Sequence, residues 1–375
     1  MRVRSAVLRE MGAPRPYAHS RPLEIVDVDL DPPGPEELLI RVGAAGLCHS
    51  DLSVIDGSRP RVMPMALGHE AAGEVVEVGT GVDRFAPGDH VVLAFVPACG
   101  ECEPCRAGRA ALCEPGTVAN AAGTLLSGER RLGELDGMPL NHHLGVSAFS
   151  DHIVVSQASA VKVDPELPVE LAALFGCAVL TGVGAAVNAA RIQPGERVAI
   201  FGLGGVGLSA LLGAVLQEAA TIVAVDVVAD KLALALELGA THAVPAGPEA
   251  VEEVRALTGG GADHAIETVG SARVLADAYA ATRRGGSTTT VGLPDPSQML
   301  SIPAVGLVAE ERTLRGSYLG SSVPARDLPR FIDLHREGRL PVERLLTHRL
   351  GLDEINEGFD RLADGEAVRQ AIVFG

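Results

Sequence analysis

The stretch that decides the fold is residues 198–207, VAIFGLGGVG, in which an apolar run passes directly into a glycine-rich loop. The run is short and apolar, as in a buried strand, and the residues that follow, up to Glu218, have the pattern of a helix. A G-x-G-x-x-G loop between a strand and a helix is typical of dinucleotide binding, because its glycines let the backbone approach a pyrophosphate at the helix N-terminus. The alternative is a glycine-rich turn in an α/β domain without a cofactor.

An acidic residue ends the next predicted strand, Thr221–Asp226, at the distance from the loop that the motif requires. Its carboxylate can accept hydrogen bonds from an adenosine ribose and would repel a 2′-phosphate, which favours NAD over NADP. Asp226 could also simply end its strand, and Lys231 is either a second ribose contact or a solvated helix lysine. The predicted cofactor residues of this segment are Gly202, Gly204, Gly205, Val206, Gly207, Asp226 and Lys231.

The two halves of the chain have different patterns. Up to about residue 175, short apolar runs alternate with Gly, Pro and Asp, which predicts a mainly β region, and Thr117–Pro139 is a polar, glycine-rich segment that predicts a long loop or lobe. From about Thr181, strands alternate with helices, which predicts βαβ units on a parallel sheet. The predicted fold class is therefore α/β, with a doubly wound parallel sheet beside a mainly β part.

Composition narrows the classes of function. The 375 residues suggest two domains, and 31 Lys and Arg against 48 Asp and Glu give a net charge of −17. So acidic a surface disfavours nucleic acid and anionic membranes as partners. We see no uncharged apolar stretch long enough to span a membrane and no apolar segment after the charged N-terminus, so we expect a cytoplasmic protein.

Four cysteines are clustered with the spacing C-x2-C-x2-C-x7-C: Cys99, Cys102, Cys105 and Cys113. This spacing suits four thiolates around a tetrahedral Zn²⁺, and four ligands leave no open position, so the site would be structural. An iron–sulfur cluster is the main alternative, and a disulfide is disfavoured in a reducing compartment.

Three other residues form a possible second metal site. Cys48, His69 and Cys177 supply two thiolates and one imidazole, a set that leaves a fourth tetrahedral position open for chemistry. Their spacing does not join them, since many residues separate Cys48 from Cys177. From the residues alone, each is more often a buried cysteine or a hydrogen-bonded histidine.

Several further motifs, taken together in their order along the chain, favour this second metal site over the alternatives. They are GLCHSD at 46–51, GHEAAG at 68–73, the four-cysteine cluster, LGVSAFS at 144–150 and the loop at 202–207. Together they resemble the zinc-dependent medium-chain alcohol dehydrogenases over nearly the whole chain. The Thr117–Pro139 segment is similar to the insertion of the dimeric class I and class III branches.

The resemblance implies a GroES-like catalytic domain at 1–177 and 320–375 around a Rossmann NAD-binding domain at 178–319. It implies two zinc ions and one NAD per chain, with Cys48, His69 and Cys177 as ligands of the catalytic zinc and the clustered cysteines as ligands of a structural zinc. It also implies a homodimer, paired near the strand Thr313–Tyr318.

Further roles are implied position by position. Asp51 would orient the His69 ring, Glu70 would lie near the metal, and Ser50 would pass the proton of the bound alcohol outward. Many members have a relay histidine where this chain has Ser53, so the proton path would run through water, a ribose hydroxyl or His49. The remaining implied contacts are His49, Leu293 and Arg369 with the cofactor, and Phe95, Leu293, Tyr318 and Arg59 with the substrate.

The implied reaction is reversible hydride transfer between NAD and a primary alcohol with an apolar or aryl tail. A formaldehyde dehydrogenase that depends on a thiol, glutathione or mycothiol, is the alternative, and Arg59 would then steer an acidic substrate unless it is a solvated loop residue. A non-catalytic zinc- or dinucleotide-binding protein is disfavoured because all three ligands of the open site are present. A zinc-free reductase of the same superfamily is disfavoured by Cys48, His69 and the cysteine cluster.

Overall fold

The computed structural model describes residues 1–375, and the chain divides into two compact units. The first unit comprises Met1–Cys177, Val323–Pro329 and Leu346–Gly375, and the second comprises Ala178–Ser322 and Arg330–Leu345. The predicted catalytic domain included all of 320–375, whereas residues 320–322 and 330–345 group with the second unit. The physical reason is that Val342 and Leu345 are buried and their turn packs on the helix Gly205–Leu216.

The first unit is built on two sheets, of seven and five strands, in which most neighbours are antiparallel. The strand Glu37–Leu47 is central to the larger sheet, because it pairs with Ala71–Val78, His152–Ser156 and Arg369–Val373. The other strands are Arg2–Leu8, Leu23–Leu30, Met65–Ala66, His90–Leu93, Leu132–Gly133, Asn141–His142, Ala160–Val163 and Leu346–Leu350.

Helices of this unit are short and lie between the strands. They are Tyr17–Ser20, His49–Ile55, Glu103–Arg106, Glu114–Ala122, Val169–Leu174 and Ile355–Ala363, with 3₁₀ turns at Ala110–Leu112, Gln157–Ser159 and Leu352–Glu354. One core cluster contains apolar side chains from Glu37–Leu47, from Ala71–Val78 and from Ile355–Ala363. Leu38, Ile40 and Val42 belong to this cluster, whereas Leu39 belongs to another, so the strand Glu37–Leu47 buries side chains on both of its faces.

Strand pairing brings distant residues of the candidate site together. Ala45 pairs with Ala71, and the Gly46 amide donates to the Glu70 carbonyl at 2.8 Å, so Cys48 and His69 emerge at the same end of two neighbouring strands. The pairing of Leu47 with Gln370 brings Arg369 to that same end.

The Thr117–Pro139 segment was predicted to be a loop or lobe, and this is wrong for its first part. The helix Glu114–Ala122 begins with Cys113 as its N-cap, where the thiol accepts from the Gly116 amide at 3.4 Å, and it ends at Gly123 in the left-handed conformation (φ 67°). The stop signal at Gly123 is visible in the sequence. The start signal is a cysteine, which is not a usual N-cap residue.

The second unit holds a six-stranded sheet with every pair parallel. In spatial order the strands are His242–Pro245, Thr221–Asp226, Arg197–Phe201, Ala262–Glu267, Thr282–Thr290 and Thr313–Gly316. Numbered along the chain this is 3-2-1-4-5-6, the doubly wound order in which a ligand binds where the strand order reverses. The reversal lies at Arg197–Phe201, the strand that precedes the glycine-rich loop.

Its helices connect successive strands. They are Leu180–Gly184, Gly205–Leu216, Ala229–Glu237, Ala250–Leu257, Ala272–Ala281 and Ala304–Ala309, with a π-helical turn at Ala185–Ala190 and 3₁₀ turns at Leu319–Ser321 and Val342–Leu345. The helix Pro324–Arg336 has residues in both units. The strand His242–Pro245 and the helix Ala250–Leu257 were not predicted, because the strand has four residues and ends in proline and three of the eight helix residues are charged.

One helical run, Val169–Ala190, is long and apolar enough to cross a membrane by length and composition. The prediction that no stretch meets this criterion is wrong, because residues 171–190 carry no charge and Thr181 and Asn188 are their only polar side chains. In the structure, 83% of the most apolar part of the run is buried inside the protein. Packing therefore accounts for its apolar side chains.

Asp263 provides a test of the second unit's stability. Its carboxylate accepts from the Arg197 amide and Nε, both at 2.8 Å, and from Arg283. We expect Asp263→Ala to lower the free energy of unfolding by about 2 kcal/mol, since breaking a buried pair costs about 3 to 5 kcal/mol and Arg197 is partly exposed. Urea unfolding measures this. Asp277→Ala, which removes the exposed pair with Arg273, is the control and should cost under about 0.5 kcal/mol.

The same carboxylate has a defined pH dependence. Burial alone would raise the pKa of Asp263, but hydrogen bonds from Arg197 and Arg283 outweigh it and hold the pKa well below its ordinary value of about 3.9. Its contribution is therefore complete above about pH 4 and is lost as pH falls through the lower, folded-state pKa. If the difference in the free energy of unfolding between the wild type and Asp263→Ala stayed constant from pH 7 to pH 2, this expectation would be contradicted.

Candidate functional site

Four buried side chains form a cluster with metal-binding chemistry: Cys48, His69, Glu70 and Cys177. Each offers one ligand atom, and these atoms all lie within 4.8 Å of one another. The Nε2 atom of His69 and one carboxylate oxygen of Glu70 are buried without a hydrogen-bond partner. A buried polar atom without a partner is costly, and a cation such as Zn²⁺ would satisfy both atoms. The residues therefore fit the metal that the sequence predicted here.

Each ligand is held by a different kind of local structure. Cys48 follows the strand Glu37–Leu47 and precedes the helix His49–Ile55, while His69 and Glu70 precede the strand Ala71–Val78. Cys177 lies in a π-helical turn, Phe175–Val179. Such turns are uncommon and often occur at functional sites. This turn brings to the cluster a thiol that spacing alone did not join to the others.

Asp51 orients the imidazole. Its Oδ1 lies 3.1 Å from His69 Nδ1, and its Oδ2 accepts from the Cys48 amide at 3.3 Å. A carboxylate at Nδ1 selects the tautomer with hydrogen on Nδ1, which leaves the Nε2 lone pair for a metal. Burial opposes the charged imidazolium, but Asp51 and Cys48 outweigh it and raise the pKa of His69 in the metal-free protein to about 10.

The two thiols of the cluster are coupled to each other. A hydrogen bond from Cys177, and then the charges of Arg369 and His69, lower the pKa of Cys48 well below its ordinary value. The same hydrogen bond and burial raise the pKa of Cys177. Cys48 is therefore the thiol that ionises first, which makes it the first thiolate available to a cation.

Arg369 lies on the other side of Glu70. It is 3% exposed; its Nη2 is 2.8 Å from Glu70 Oε2, and its Nη1 donates to the Leu47 carbonyl at 3.1 Å. Burial still raises the pKa of Glu70 to about 7, although Arg369 opposes the shift. The family resemblance implied that Arg369 contacts the cofactor. Its contacts in the structure are with the metal-site carboxylate and the backbone, and the cofactor role stays a prediction.

The four clustered cysteines bring their sulfur atoms within 4.8 Å of one another, and none forms a disulfide. Backbone amides of Cys99 and Gly116 point at the Cys113 sulfur at 3.3 and 3.4 Å, and those of Glu101 and Cys102 point at the Cys99 sulfur, each at 3.4 Å. These donors would spread the negative charge of thiolates. The cluster therefore fits a closed tetrahedral zinc site with no position for a substrate.

The glycine-rich loop of the second unit has the shape that a pyrophosphate needs. Gly202 is left-handed (φ 92°), and a Cβ on Gly207 would lie 1.9 Å from the Gly202 carbonyl oxygen, so neither position tolerates a side chain. A Cβ on Gly204, in contrast, would meet no atom within 4 Å, so open space lies next to the backbone there. The helix Gly205–Leu216 begins at this point and directs its first amides toward that space.

Asp226 lies beside the loop and holds it. Its Oδ2 accepts from the Leu203 amide at 2.6 Å, and its Oδ1 accepts from the Val228 amide at 2.9 Å. The side chain is 9% exposed, and each oxygen keeps a further lone pair. This anchoring role of Asp226 was not foreseen from the sequence. Lys231 is half-buried on the helix Ala229–Glu237.

The other predicted contacts are divided between the units. In the first, Phe95 is buried with its ring edge-to-face on His69 at 5.4 Å, Arg59 and Ser50 are half-buried, and His49 is exposed. In the second, Leu293 is 45% exposed and Tyr318 is half-buried. A shared substrate pocket for Phe95, Arg59, Leu293 and Tyr318 stays a prediction, as do the cofactor contacts of His49 and Leu293.

Two features of the metal site were missed. The pairing of Glu70 with Arg369 depends on strand pairing across most of the chain, and no local pattern reveals it. His143, whose Nδ1 lies 3.1 Å from Asp51 Oδ1, was not predicted to take part in the metal site. Its position next to the LGVSAFS motif was the one available signal.

Two family matches cover most of the chain. Residues 34–165 match the alcohol dehydrogenase GroES-like domain, and residues 205–337 match the zinc-binding dehydrogenase family. The first match contains the cysteine cluster, and the second begins in the glycine-rich loop. The cofactors that these families and the two sites fit are zinc and a nicotinamide dinucleotide.

Individual relatives extend over the whole chain. An NDMA-dependent alcohol dehydrogenase of Amycolatopsis methanolica is 39% identical and covers 100% of this chain and 99% of its own length. An S-(hydroxymethyl)glutathione dehydrogenase of Paracoccus denitrificans is 35% identical, with 100% of both covered. The crystal structure of a benzyl alcohol dehydrogenase from Acinetobacter calcoaceticus superposes with a TM-score of 0.92 at 31% identity, again with 100% of both chains covered. This chain is an oxidoreductase, and it belongs to the zinc-dependent medium-chain alcohol dehydrogenase family.

Proposed function

We propose that this protein is an NAD-linked alcohol dehydrogenase in which Cys48, His69 and Cys177 hold a catalytic zinc and the substrate is a primary alcohol with an apolar or aryl tail. The observation that carries the proposal is the buried cluster with an unpartnered Nε2 on His69. Three protein ligands leave a position for a small molecule, whereas the four-cysteine cluster leaves none. When bound, zinc would supply the Lewis acidity that makes an alcohol hydroxyl acidic.

The chain's own residues prepare the site for this chemistry. Asp51 fixes the tautomer of His69, and Arg369 balances the charge that Glu70 brings next to two thiols. The buried Phe95 ring packs edge-to-face with His69 and provides an apolar surface next to the imidazole. An apolar wall beside the metal ligand suits a substrate with an aryl or alkyl tail. The similarity to a benzyl alcohol dehydrogenase supports the same substrate class.

Ser50 is the hydroxyl proposed to move the alcohol proton. Ser53, where many relatives have a histidine, donates its hydroxyl to the Ser50 carbonyl at 3.1 Å. That hydrogen bond occupies the Ser53 proton, so Ser53 does not replace a relay base. We therefore propose that Ser50 passes its proton to water, to a ribose hydroxyl or to His49.

A thiol-dependent formaldehyde dehydrogenase is the second candidate. The 35% identity to an S-(hydroxymethyl)glutathione dehydrogenase over both full lengths supports it. The half-buried Arg59 would then meet the carboxylate of the thiol adduct. The two candidate enzymes oxidise different substrates, so a panel of substrates distinguishes them.

The test of the function measures NADH formation at 340 nm with ethanol, hexanol, benzyl alcohol, cinnamyl alcohol, a secondary alcohol, and formaldehyde with and without glutathione or mycothiol. We expect the free aryl and long-chain alcohols to give the highest kcat/KM. Each substrate is also assayed with NDMA, since one relative is named for it. Activity confined to formaldehyde plus thiol would replace the first candidate by the second.

Two matched cysteine variants connect this activity to the metal. Wild-type protein should contain two zinc ions per chain by elemental analysis, and Cys177→Ser and Cys102→Ser should each contain one. Cys177→Ser should lose turnover while it keeps its thermal midpoint within a few degrees. Cys102→Ser should lower the midpoint while the remaining zinc still supports turnover. Wild-type turnover with no zinc at the Cys48 cluster would refute the assignment of the ligands.

We propose NAD rather than NADP as the cofactor because the Asp226 carboxylate lies beside the loop. Asp226→Ser should reduce kcat/KM for NAD about 10- to 100-fold, since a hydrogen bond to a charged group contributes about 1.5 to 3 kcal/mol, and should raise the relative rate with NADP. Asp230→Asn removes an exposed carboxylate four residues away and is the matched control. An unchanged NAD to NADP ratio in Asp226→Ser would show that the carboxylate does not select the cofactor.

We also propose a cytoplasmic homodimer that forms through the second unit. The strand Thr313–Gly316 is an edge strand with exposed residues, so its backbone groups are open to a second copy. Nearby in the sequence, Met299, Val305 and Val308 are 85%, 71% and 82% exposed. Exposed apolar residues close together often mark an interface.

Light scattering tests this assembly. The wild type should have the mass of two chains, each of 38.7 kDa, and Val308→Asp should shift it toward one chain. Val118→Asp changes a valine that is 69% exposed in the first unit, and it should leave the mass unchanged. A Val308→Asp protein with the wild-type mass would place the interface elsewhere.

A further inference from the structure

Two imidazoles approach the same oxygen of Asp51. His69 Nδ1 and His143 Nδ1 each lie 3.1 Å from Asp51 Oδ1, and all three side chains are at most 1% exposed. The two rings meet edge-to-face, with centroids 5.5 Å apart and planes at 85°. His143 therefore contacts both the metal-site carboxylate and the ring of a proposed zinc ligand.

The short distance favours a hydrogen on Nδ1 of His143. A nitrogen 3.1 Å from a carboxylate oxygen is attracted when it carries hydrogen and repelled when it carries a lone pair. The approach is oblique, because Nδ1 of His143 has no partner within ordinary hydrogen-bond angles. Asp51 Oδ1 already accepts from the Gly68 amide at 3.2 Å and from His69. The Nδ1 of His143 is thus a further polar group in electrostatic contact with a buried negative charge.

A strained turn holds His143 in this position. Leu144 and Ser147 are left-handed, with φ of 53° and 55°, a conformation that non-glycine residues adopt at a cost. The Ser147 hydroxyl accepts from the His143 amide at 3.0 Å. After the turn, the amides of Ala148 and Phe149 donate to the carbonyls of Gly68 and Leu67 at 3.1 and 3.0 Å. The turn is therefore fastened to the segment that carries His69.

The neighbouring histidine has different partners and shows that burial alone does not explain His143. His142 is also buried, but its Nε2 accepts from the Arg131 amide at 3.1 Å, and its Nδ1 lies 3.3 Å from the Ser147 hydroxyl. Its partners are thus a backbone amide and a hydroxyl rather than the carboxylate of the metal site.

We propose that His143 is a positioning residue of the metal site, whose Nδ1–H fixes the Asp51 carboxylate and thereby the orientation and tautomer of His69. The proposal rests on the proposed zinc site at Cys48, His69 and Cys177. Without His143, Asp51 still accepts hydrogen bonds from the amides of Cys48 and Gly68. Its Oδ1 loses the neighbouring imidazole, which limits the movement of the carboxylate. The His69 ring also loses an edge-to-face neighbour and is free to tilt.

The experiment compares His143→Leu, His143→Asn and His143→Gln. The Asn amide nitrogen is attached where His has Nδ1, so it keeps the donor, whereas Gln places its amide one carbon further out. His142→Leu is the matched control. The readouts are the zinc dissociation constant of the Cys48 site by chelator competition, the visible spectrum of the Co²⁺-substituted protein, and kcat and KM at saturating zinc.

We expect His143→Leu and His143→Gln to weaken zinc binding about 10- to 100-fold, the range for groups that support a metal ligand, and to shift the Co²⁺ bands. His143→Asn should recover most of the affinity and the wild-type spectrum. His142→Leu should lower the thermal midpoint and leave both metal readouts unchanged.

Wild-type zinc affinity and Co²⁺ bands in His143→Leu would overturn the proposal and leave the zinc site intact. If His143→Leu does not fold, the Asn and Gln variants decide, and equal affinities in the two would overturn it. A wild-type protein with zinc at the four-cysteine cluster alone would overturn both this proposal and the proposed function. The first and last results are distinguished by the zinc content of the wild type.

Discussion

The buried carboxylate of Asp51 determines how the residues of the metal site are arranged. A charged group without exposure needs several partners, since an uncompensated buried charge costs several kcal/mol. Asp51 finds them on three separate pieces of chain: the amide of Cys48, the amide of Gly68 with the ring of His69, and the ring of His143. Burial would raise the pKa of Asp51, but these histidines outweigh it and keep the carboxylate ionised. The charge therefore holds in register the segments that carry Cys48 and His69.

A second buried charge pair completes the balance around the thiols. Arg369 offsets Glu70 and favours the ionised form of Cys48, so the cluster can hold one thiolate, that of Cys48, before a cation arrives. In the second unit, backbone groups rather than charged side chains form the predicted anion site. Its anion site consists of amides at a helix start, with glycines where a side chain would collide and Asp226 fastening the loop.

Sequence reasoning succeeded where chemistry is encoded locally. The glycine-rich loop with its flanking strand and helix, the strand Thr221–Asp226 and the spacing of the four cysteines are short patterns whose physical meaning does not depend on the rest of the chain. The α/β fold class, with a GroES-like part and a zinc-binding dehydrogenase part, is confirmed. The helix Glu114–Ala122 was missed because a cysteine caps it. The length of the apolar run Val169–Ala190 was missed because Thr181 and Asn188 divide its apolar residues into shorter stretches. The partners of Arg369 and His143 could not be derived, because strand pairing and a strained turn create those contacts.

The pairing of Glu37–Leu47 with Arg369–Val373 has a consequence for biosynthesis. The Arg369 guanidinium reaches the Leu47 carbonyl across 322 positions and Glu70 across 299. During synthesis, Cys48, His69 and Cys177 are therefore made long before the strand Arg369–Val373, which pairs with Glu37–Leu47. The six parallel strands of the second unit have all been made by then. Contacts of such separation form slowly, because a long loop must close first. During that interval the nascent chain carries the thiols of the metal site without the arginine that favours the thiolate of Cys48 in the folded protein.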